Sequence, residues 1–290
     1  MNRIILIVLL ICIVFAGKAQ QFSFEKKSLV YKEVDGHSLE MVMYIPDIAP
    51  IMKLPAIVFF FGGGWENGDP SHFAKQAEYF ASRGMVAVCP DYRVKSRHNS
   101  TPFESVKDAR SAIRFLKMNG TELGIDTGRI VASGGSAGGH LALCTAVLSD
   151  VNEETDNFDY SPIPFALVLF NPVVDTGKKG YGQEKLEGRE FRISPVHNIK
   201  PDMPPVLIMH GKADKTVPYE NVVRFRHVMK QEDNQCILKG YAKQSHGFFN
   251  FRNSPKHFKK TLQKSEIFLE KLELLRGTSW VNKYSRELKN

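Results

Sequence analysis

The residues best able to do chemistry stand in one short stretch, Arg129–Cys144, read RIVASGGSAGGHLALC. An apolar, β-prone run (Ile130, Val131, Ala132) leads into Gly134-Gly135-Ser136-Ala137-Gly138-Gly139, and helix-forming residues follow from Leu141 to Leu148. Strand, glycine-flanked serine, helix is the pattern of a G-x-S-x-G nucleophile elbow. The serine sits on a strained turn where backbone approaches backbone, so Gly134 and Gly138 must lack a Cβ. The N-terminus of the helix behind Ser136 offers free N–H groups and partial positive charge to a developing oxyanion. A serine that merely caps a helix could carry the same pentapeptide, so its partners decide.

An activated serine needs a base, and the base needs an orienting carboxylate. In open parallel sheets, active residues gather outside the carboxyl ends of the strands. The strand Pro205–His210 is followed by Gly211-Lys212-Ala213-Asp214, and the last strand, Cys236–Tyr241, by Gln244-Ser245-His246-Gly247. Candidates therefore run Ser136, Asp214, His246, the order expected of an elbow-type serine hydrolase. Asp214 could equally be a turn residue. Asp175, after the preceding strand, is a rival acid and His210, at the end of its strand, a rival base.

The reaction also needs donors for the oxyanion. One should be the N–H of Ala137, next after the nucleophile. The other should come from the loop after the strand Leu54–Phe61, where Gly62-Gly63-Gly64-Trp65 stands; glycines let a backbone N–H enter a site without steric cost.

The segments F-G-G-G-W, G-G-S-A-G-G, H-G-K-A-D-K-T-V-P and Q-S-H-G-F resemble the α/β-hydrolase esterases related to the hormone-sensitive-lipase group. They look closest to bacterial acetyl and feruloyl esterases that trim plant polysaccharides. The likeness runs from about Lys53 to Phe249. It implies Ser136 as nucleophile, Asp214 as acid and His246 as base, with Gly63, Gly64 and Ala137 around the oxyanion hole. Two departures stand out. Phe61 replaces the histidine that usually opens the glycine motif, which removes a hydrogen bond that buttresses the loop. Gly135 replaces the aspartate common before the serine.

The elements that must position these groups read as an α/β fold. Two strands, Ser28–Val34 and Leu39–Tyr44, join at Asp35-Gly36, a hairpin signal. Leu54–Phe61 and Met85–Cys89 are short apolar runs of buried-strand type, and the nucleophile strand, Phe165–Phe170, Pro205–His210 and Cys236–Tyr241 also read as strands. Helical segments alternate with them at Pro70–Arg83, Pro102–Asn119, Tyr219–Lys230 and Pro255–Leu275. Such alternation implies a mostly parallel central sheet covered on both faces, preceded by an antiparallel hairpin. Asp91-Tyr92-Arg93 opens a polar loop. The connection 171–203 is long enough to serve as a lid or specificity insert.

With 290 residues, 43% apolar and 24% charged, the composition is that of a globular protein. Met1-Asn2-Arg3, the twelve apolar residues Ile4–Phe15 and the small-x-small pattern Gly17-Lys18-Ala19 read as a signal peptide over residues 1–19. Residues 20–290 then form one exported catalytic domain, periplasmic or extracellular. Twelve apolar residues fall short of the roughly 20 that span a bilayer, so no stable membrane anchor is expected. Cys89, Cys144 and Cys236 lie in apolar surroundings and read as free thiols, and no Cys/His spacing suggests a metal. The net charge of +8 falls to +6 without Arg3 and Lys18. Its lysines are scattered, which argues for a solvated surface and against nucleic acid as partner.

The chemistry expected is cofactor-free ester hydrolysis through an acyl-enzyme, on a small ester or an acylated polysaccharide. The spacing gives no oligomeric state. Short acyl groups, acetyl above all, should fit best, with Phe61 and Trp65 as rings at the substrate site. In a feruloyl esterase the same rings would line a slot for a flat acyl group. A serine peptidase on this fold would also carry these motifs, as would a non-catalytic scaffold that binds carbohydrate.

Overall fold

The computed structural model describes residues 21–48 and 53–288. The expected signal peptide, residues 1–19, lies outside the described residues. Eight strands form one sheet: β1 (Phe24–Val34), β2 (His37–Pro46), β3 (Leu54–Phe60), β4 (Val86–Pro90), β5 (Ile125–Gly135), β6 (Ala166–Phe170), β7 (Val206–Gly211) and β8 (Cys236–Tyr241). Their spatial order is β1-β2-β4-β3-β5-β6-β7-β8. The β1–β2 hairpin is antiparallel and joins β4 antiparallel, whereas every pairing from β4 to β8 is parallel. The hairpin turns at Asp35-Gly36 with φ of 50° and 74°, the left-handed pair that a tight two-residue turn needs.

Helices cover both faces. On one side lie α1 (Ala74–Ser82), α6 (Pro255–Lys271) and α7 (Val281–Glu287); on the other lie α3 (Pro102–Met118), α4 (Ala137–Val147) and α5 (Tyr219–Gln231). The short α2 (Lys95–His98) interrupts the polar loop after β4. Along β3 the alternation is explicit. Ala56, Val58 and Phe60 pack with the α3–α4–α5 core, and Ile57 and Phe59 with the α1–α6–α7 core. All seven β3 residues are buried, which is why the run reads as continuously apolar.

The predicted helix over 70–83 begins instead as a 3-10 turn, Pro70–Phe73. The Asp69 side chain accepts the Ser71 N–H there and Pro70 supplies no N–H of its own. The predicted helix over 255–275 stops at Lys271, and α7, which had no counterpart in the pattern, follows it. Residues 171–203 hold three 3-10 turns and no longer element. Cys89 and Cys144 are buried free thiols; Cys236, on the edge strand β8, is only half-buried.

Candidate active site

Five strands deliver their next residues to one end of the sheet. Beyond β3 comes Gly63, beyond β5 Ser136, beyond β6 Asn171, beyond β7 Asp214 and beyond β8 His246. Ser136 adopts φ 56° and ψ −121° between β5 and α4, a conformation that a side-chain-bearing residue keeps only under external constraint. The constraint is visible. Ser136 N–H donates to the Phe170 carbonyl (3.0 Å), and its own carbonyl accepts from His140 (3.1 Å) and Val173 (3.2 Å). A Cβ on Gly138 would overlap the carbonyl oxygens of Phe60 and Phe61, so α4 abuts the end of β3 only because residue 138 is glycine.

His246 Nε2 lies 2.9 Å from Ser136 Oγ and its Nδ1 2.7 Å from Asp214 Oδ2. The His246 side chain is 25% exposed, whereas the Asp214 carboxylate is fully buried. Asp214 Oδ1 accepts the N–H groups of Thr216 and Val217, both at 2.9 Å. Its Oδ2 also lies 3.2 Å from His210 Nε2. Burial alone would raise the Asp214 pKa; hydrogen bonds from His210, His246 and the Val217 N–H outweigh it and hold the carboxyl well below the usual carboxylate range. An ionised, fully bonded carboxylate behind an imidazole keeps the proton on Nδ1 and leaves Nε2 as acceptor towards the hydroxyl.

The rivals fall elsewhere. His210 is fully buried and its Nε2 faces the Val217 carbonyl (2.9 Å) and Asp214, not the serine. Asp175 pairs with Arg224 Nη1 at 2.9 Å and accepts the Gly177 N–H.

Ser136 and His246 open into a cavity of about 380 Å³ whose walls include Gly63, Gly64, Phe73, Asn171, Tyr181 and Phe249. The placement of Phe61 and Trp65 corrects the expectation that they line the substrate site. Phe61 is fully buried, stacked on Tyr92 with centroids 4.0 Å apart. Trp65 is 2% exposed, edge-on to His140 at 5.0 Å. Neither lines the cavity: Phe61, before the glycine turn, packs on Tyr92, and Trp65, after it, packs on His140. Of the rings that do line it, Phe73 and Phe249 stack with centroids 5.8 Å apart. Phe249 also explains Gly135: a Cβ there would come within 2.6 Å of its ring, so the aspartate of the usual motif has no room.

Three contributors have no signature in the local sequence. Lys185, in the 171–203 insert, donates to the Gly64 carbonyl (3.2 Å) and to Glu66 Oε1 (2.8 Å). The pair is local enough that the bond from Lys185 lowers the Glu66 pKa. With the Tyr92 hydroxyl bonded to the Phe61 carbonyl at 2.7 Å, these contacts brace the glycine loop that lacks its histidine. Asn171 has φ 35°, and its Oδ1 accepts the N–H of Gly247, next to His246, at 3.0 Å. Its Nδ2 is buried without a partner. Tyr181, from the same insert, sets its hydroxyl against Gly64, where an added Cβ would meet it at 2.7 Å. Such contacts link residues up to 121 positions apart, beyond the reach of any short motif.

The arrangement can activate a hydroxyl, present N–H groups to a developing oxyanion and return a proton to a leaving group. Among the described residues no group of three His, Cys, Asp or Glu side chains could hold a metal. Nor is any described helix long and apolar enough to cross a membrane.

Known proteins resemble this one in the same parts. The BD-FAE family model matches residues 41–176. The structure titled Thermogutta terrifontis esterase 2 phosphoramylated by tabun superposes with a TM-score of 0.83 at 43% identity, covering 88% of this chain and 97% of that one. A probable isoprenylcysteine alpha-carbonyl methylesterase of Oryza sativa subsp. japonica is 28% identical over 245 residues, 76% of this chain and 56% of the relative. An acetylxylan esterase of Xylanibacter ruminicola is 26% identical over 264 residues, 86% of this chain and 51% of the relative. The chain thus spans about half the length of the curated relatives it matches.

Proposed function

This chain belongs to the α/β-hydrolase esterases, and from that premise we propose that it is an exported serine carboxylester hydrolase acting on short acyl esters, acetyl above all, of a carbohydrate or small alcohol. The observation that carries the reading is the run of hydrogen bonds from Asp214 through His246 to Ser136, opening into a cavity. In this reading His246 Nε2 takes the proton as Ser136 Oγ attacks the ester carbonyl. Asp214 holds the ring with Nδ1 protonated and stabilises the imidazolium. The N–H groups of Gly63, Gly64 and Ala137 receive the oxyanion. The imidazolium then protonates the leaving alcohol, and water activated by the same histidine hydrolyses the acyl-enzyme.

The short-acyl preference has two supports. Phe73, Phe249 and Tyr181 wall the cavity on which Ser136 stands. The Thermogutta esterase, similar over most of this chain, has structures titled propionate bound and butyrate bound. The carbohydrate half of the reading is supported by the acetylxylan esterase name of one relative. Export rests on the leader pattern over residues 1–19, and the N-terminus of the protein recovered from its host should be Gln20. A fluorophosphonate probe should label Ser136 and fail on Ser136→Ala. Among aryl acetate, butyrate, octanoate and methyl ferulate, the acetate should show the highest kcat/KM. A clear preference for octanoate or ferulate would refute the acyl assignment, and an unlabelled wild-type protein would refute the esterase reading altogether.

A further inference from the structure

Beside the cavity that holds Ser136 and His246 lies a second one of about 320 Å³. The two are adjacent, with His72 and Asn250 lining both. One wall of the outer cavity is the start of α1 with the 3-10 turn before it; the other is the turn 250–253 that follows the candidate base. Its lining carries three basic side chains, His72, Lys75 and Arg252, and no carboxylate. Lys75 and Arg252 are exposed and make no ion pair among the described residues, in contrast to the buried cations Lys32, Arg93 and Arg114, each held by an acid. Lys75 Nζ lies over the Phe251 ring at 5.5 Å, so an ammonium and an aromatic face meet in one recess. Two carboxylates stand close by outside the lining. Asp69 lies 3.9 Å from His72 Nε2, and Glu78, one turn along α1, lies 3.5 Å from the Tyr284 hydroxyl.

Unpaired cations grouped without a counter-charge at the mouth of a reactive site attract and orient an anion. An exposed pair adds little at a protein surface, but a recess shared by two cations, amide groups and a ring is where a charged, ring-bearing group gains most. We infer that this recess is a subsite for a carboxylate on the ester's alcohol half, so that the substrates favoured are acyl esters of acidic alcohols such as carboxylate-bearing sugars. The inference rests on the esterase reading and adds the substrate's charge to it.

The test compares two esters that differ only in charge, 4-acetoxybenzoate and 4-acetoxybenzamide, each kcat/KM divided by that ester's rate with hydroxide to remove leaving-group effects. At low salt the carboxylate should be favoured about five- to thirtyfold, for one negative charge held in a recess beside two exposed cations. The preference should shrink several-fold at about 0.5 M salt, where screening reaches only a few ångströms. Lys75→Gln/Arg252→Gln should bring the ratio towards unity and Lys75→Glu/Arg252→Glu should invert it. Lys27→Gln, an exposed cation on β1, should leave it unchanged. A wild-type ratio near one, or a preference that survives the double variants, would overturn the subsite. Failure to hydrolyse either ester would instead overturn the esterase reading on which it stands.

Discussion

Gly63 and Gly64 differ sharply in what a methyl group would meet, and the two alanine variants should separate on that account. Gly63 has φ +138°, a region essentially closed to residues with a side chain. Its added Cβ would overlap the Asn67 carbonyl oxygen and stand 2.8 Å from the carbonyl carbon. Asn67 cannot yield by rotating a side chain, because the obstacle is backbone in the turn closed by the Glu66 N–H on the Gly63 carbonyl at 3.0 Å. Gly63→Ala must therefore move the loop. A displaced oxyanion donor costs roughly 10²–10³ in turnover. Gly64 has φ +65°, where alanine is strained by about 1–2 kcal/mol, and its Cβ would meet the Tyr181 hydroxyl at 2.7 Å. That hydroxyl ends a side chain that can swing aside, so Gly64→Ala should lose no more than about tenfold. The assay is kcat and KM on an aryl acetate for both variants, with thermal melting to check that each is folded. A folded Gly63→Ala that keeps turnover within about threefold of wild type would refute this ordering, as would a Gly64→Ala that is the more damaged of the two.

Three further outcomes follow from the same geometry. Lys185→Met removes a charge-assisted bond from the Gly64 carbonyl and should lower kcat about tenfold with little change in KM, and Lys185→Arg should recover part of it; a KM-only effect would place Lys185 outside the loop's support. Asn171→Ala frees the Gly247 N–H beside His246 and should cost about five- to tenfold in kcat, read by steady-state kinetics at a temperature where melting shows the variant folded; unaltered kcat would remove it from the positioning of His246. Asp214 is held with a depressed pKa, so its stabilising contribution is present above the unfolded carboxylate value of about 4 and is lost as pH falls through the folded one. The difference in Tm between wild type and Asp214→Asn should thus be steady from about pH 7 to 5 and narrow below about pH 4, and a gap that widened on acidification would contradict the assignment.

What was legible in the chain is what chemistry or backbone geometry writes locally. The Gly134–Gly139 run announces a close approach of α4 to β3, and Asp35-Gly36 announces its turn, because a missing Cβ or a left-handed φ leaves a residue-type signature. That Ser136, Asp214 and His246 come together was legible because each stands just beyond a segment that reads as a strand, in the chain order of an elbow-type hydrolase. Phe61 and Trp65 were misjudged for the opposite reason. Whether a ring beside a turn faces a pocket or the core is decided by partners such as Tyr92 and His140, which come from elsewhere in the chain. The support given by Lys185 and Asn171 is long-range by nature. The start of α1 shifted because Asp69 and Pro70 form a 3-10 turn there, and α6 stops short of 275 where Glu273 takes a left-handed φ of 58°.

The central claim is that Ser136, His246 and Asp214 act as one unit, and non-additive kinetics test it most directly. Turnover of an aryl acetate would be measured for Ser136→Ala, His246→Ala, Asp214→Asn, their triple combination, and Asp175→Asn. Loss of the serine or the histidine should cost on the order of 10⁴–10⁶, with the aspartate somewhat less and the triple variant little worse than the worst single one. Asp175→Asn, whose carboxylate is bonded to Arg224 rather than to His246, should stay close to wild type. Losses that multiply across the three positions, or an inactive Asp175→Asn beside a fully active Asp214→Asn, would contradict the account.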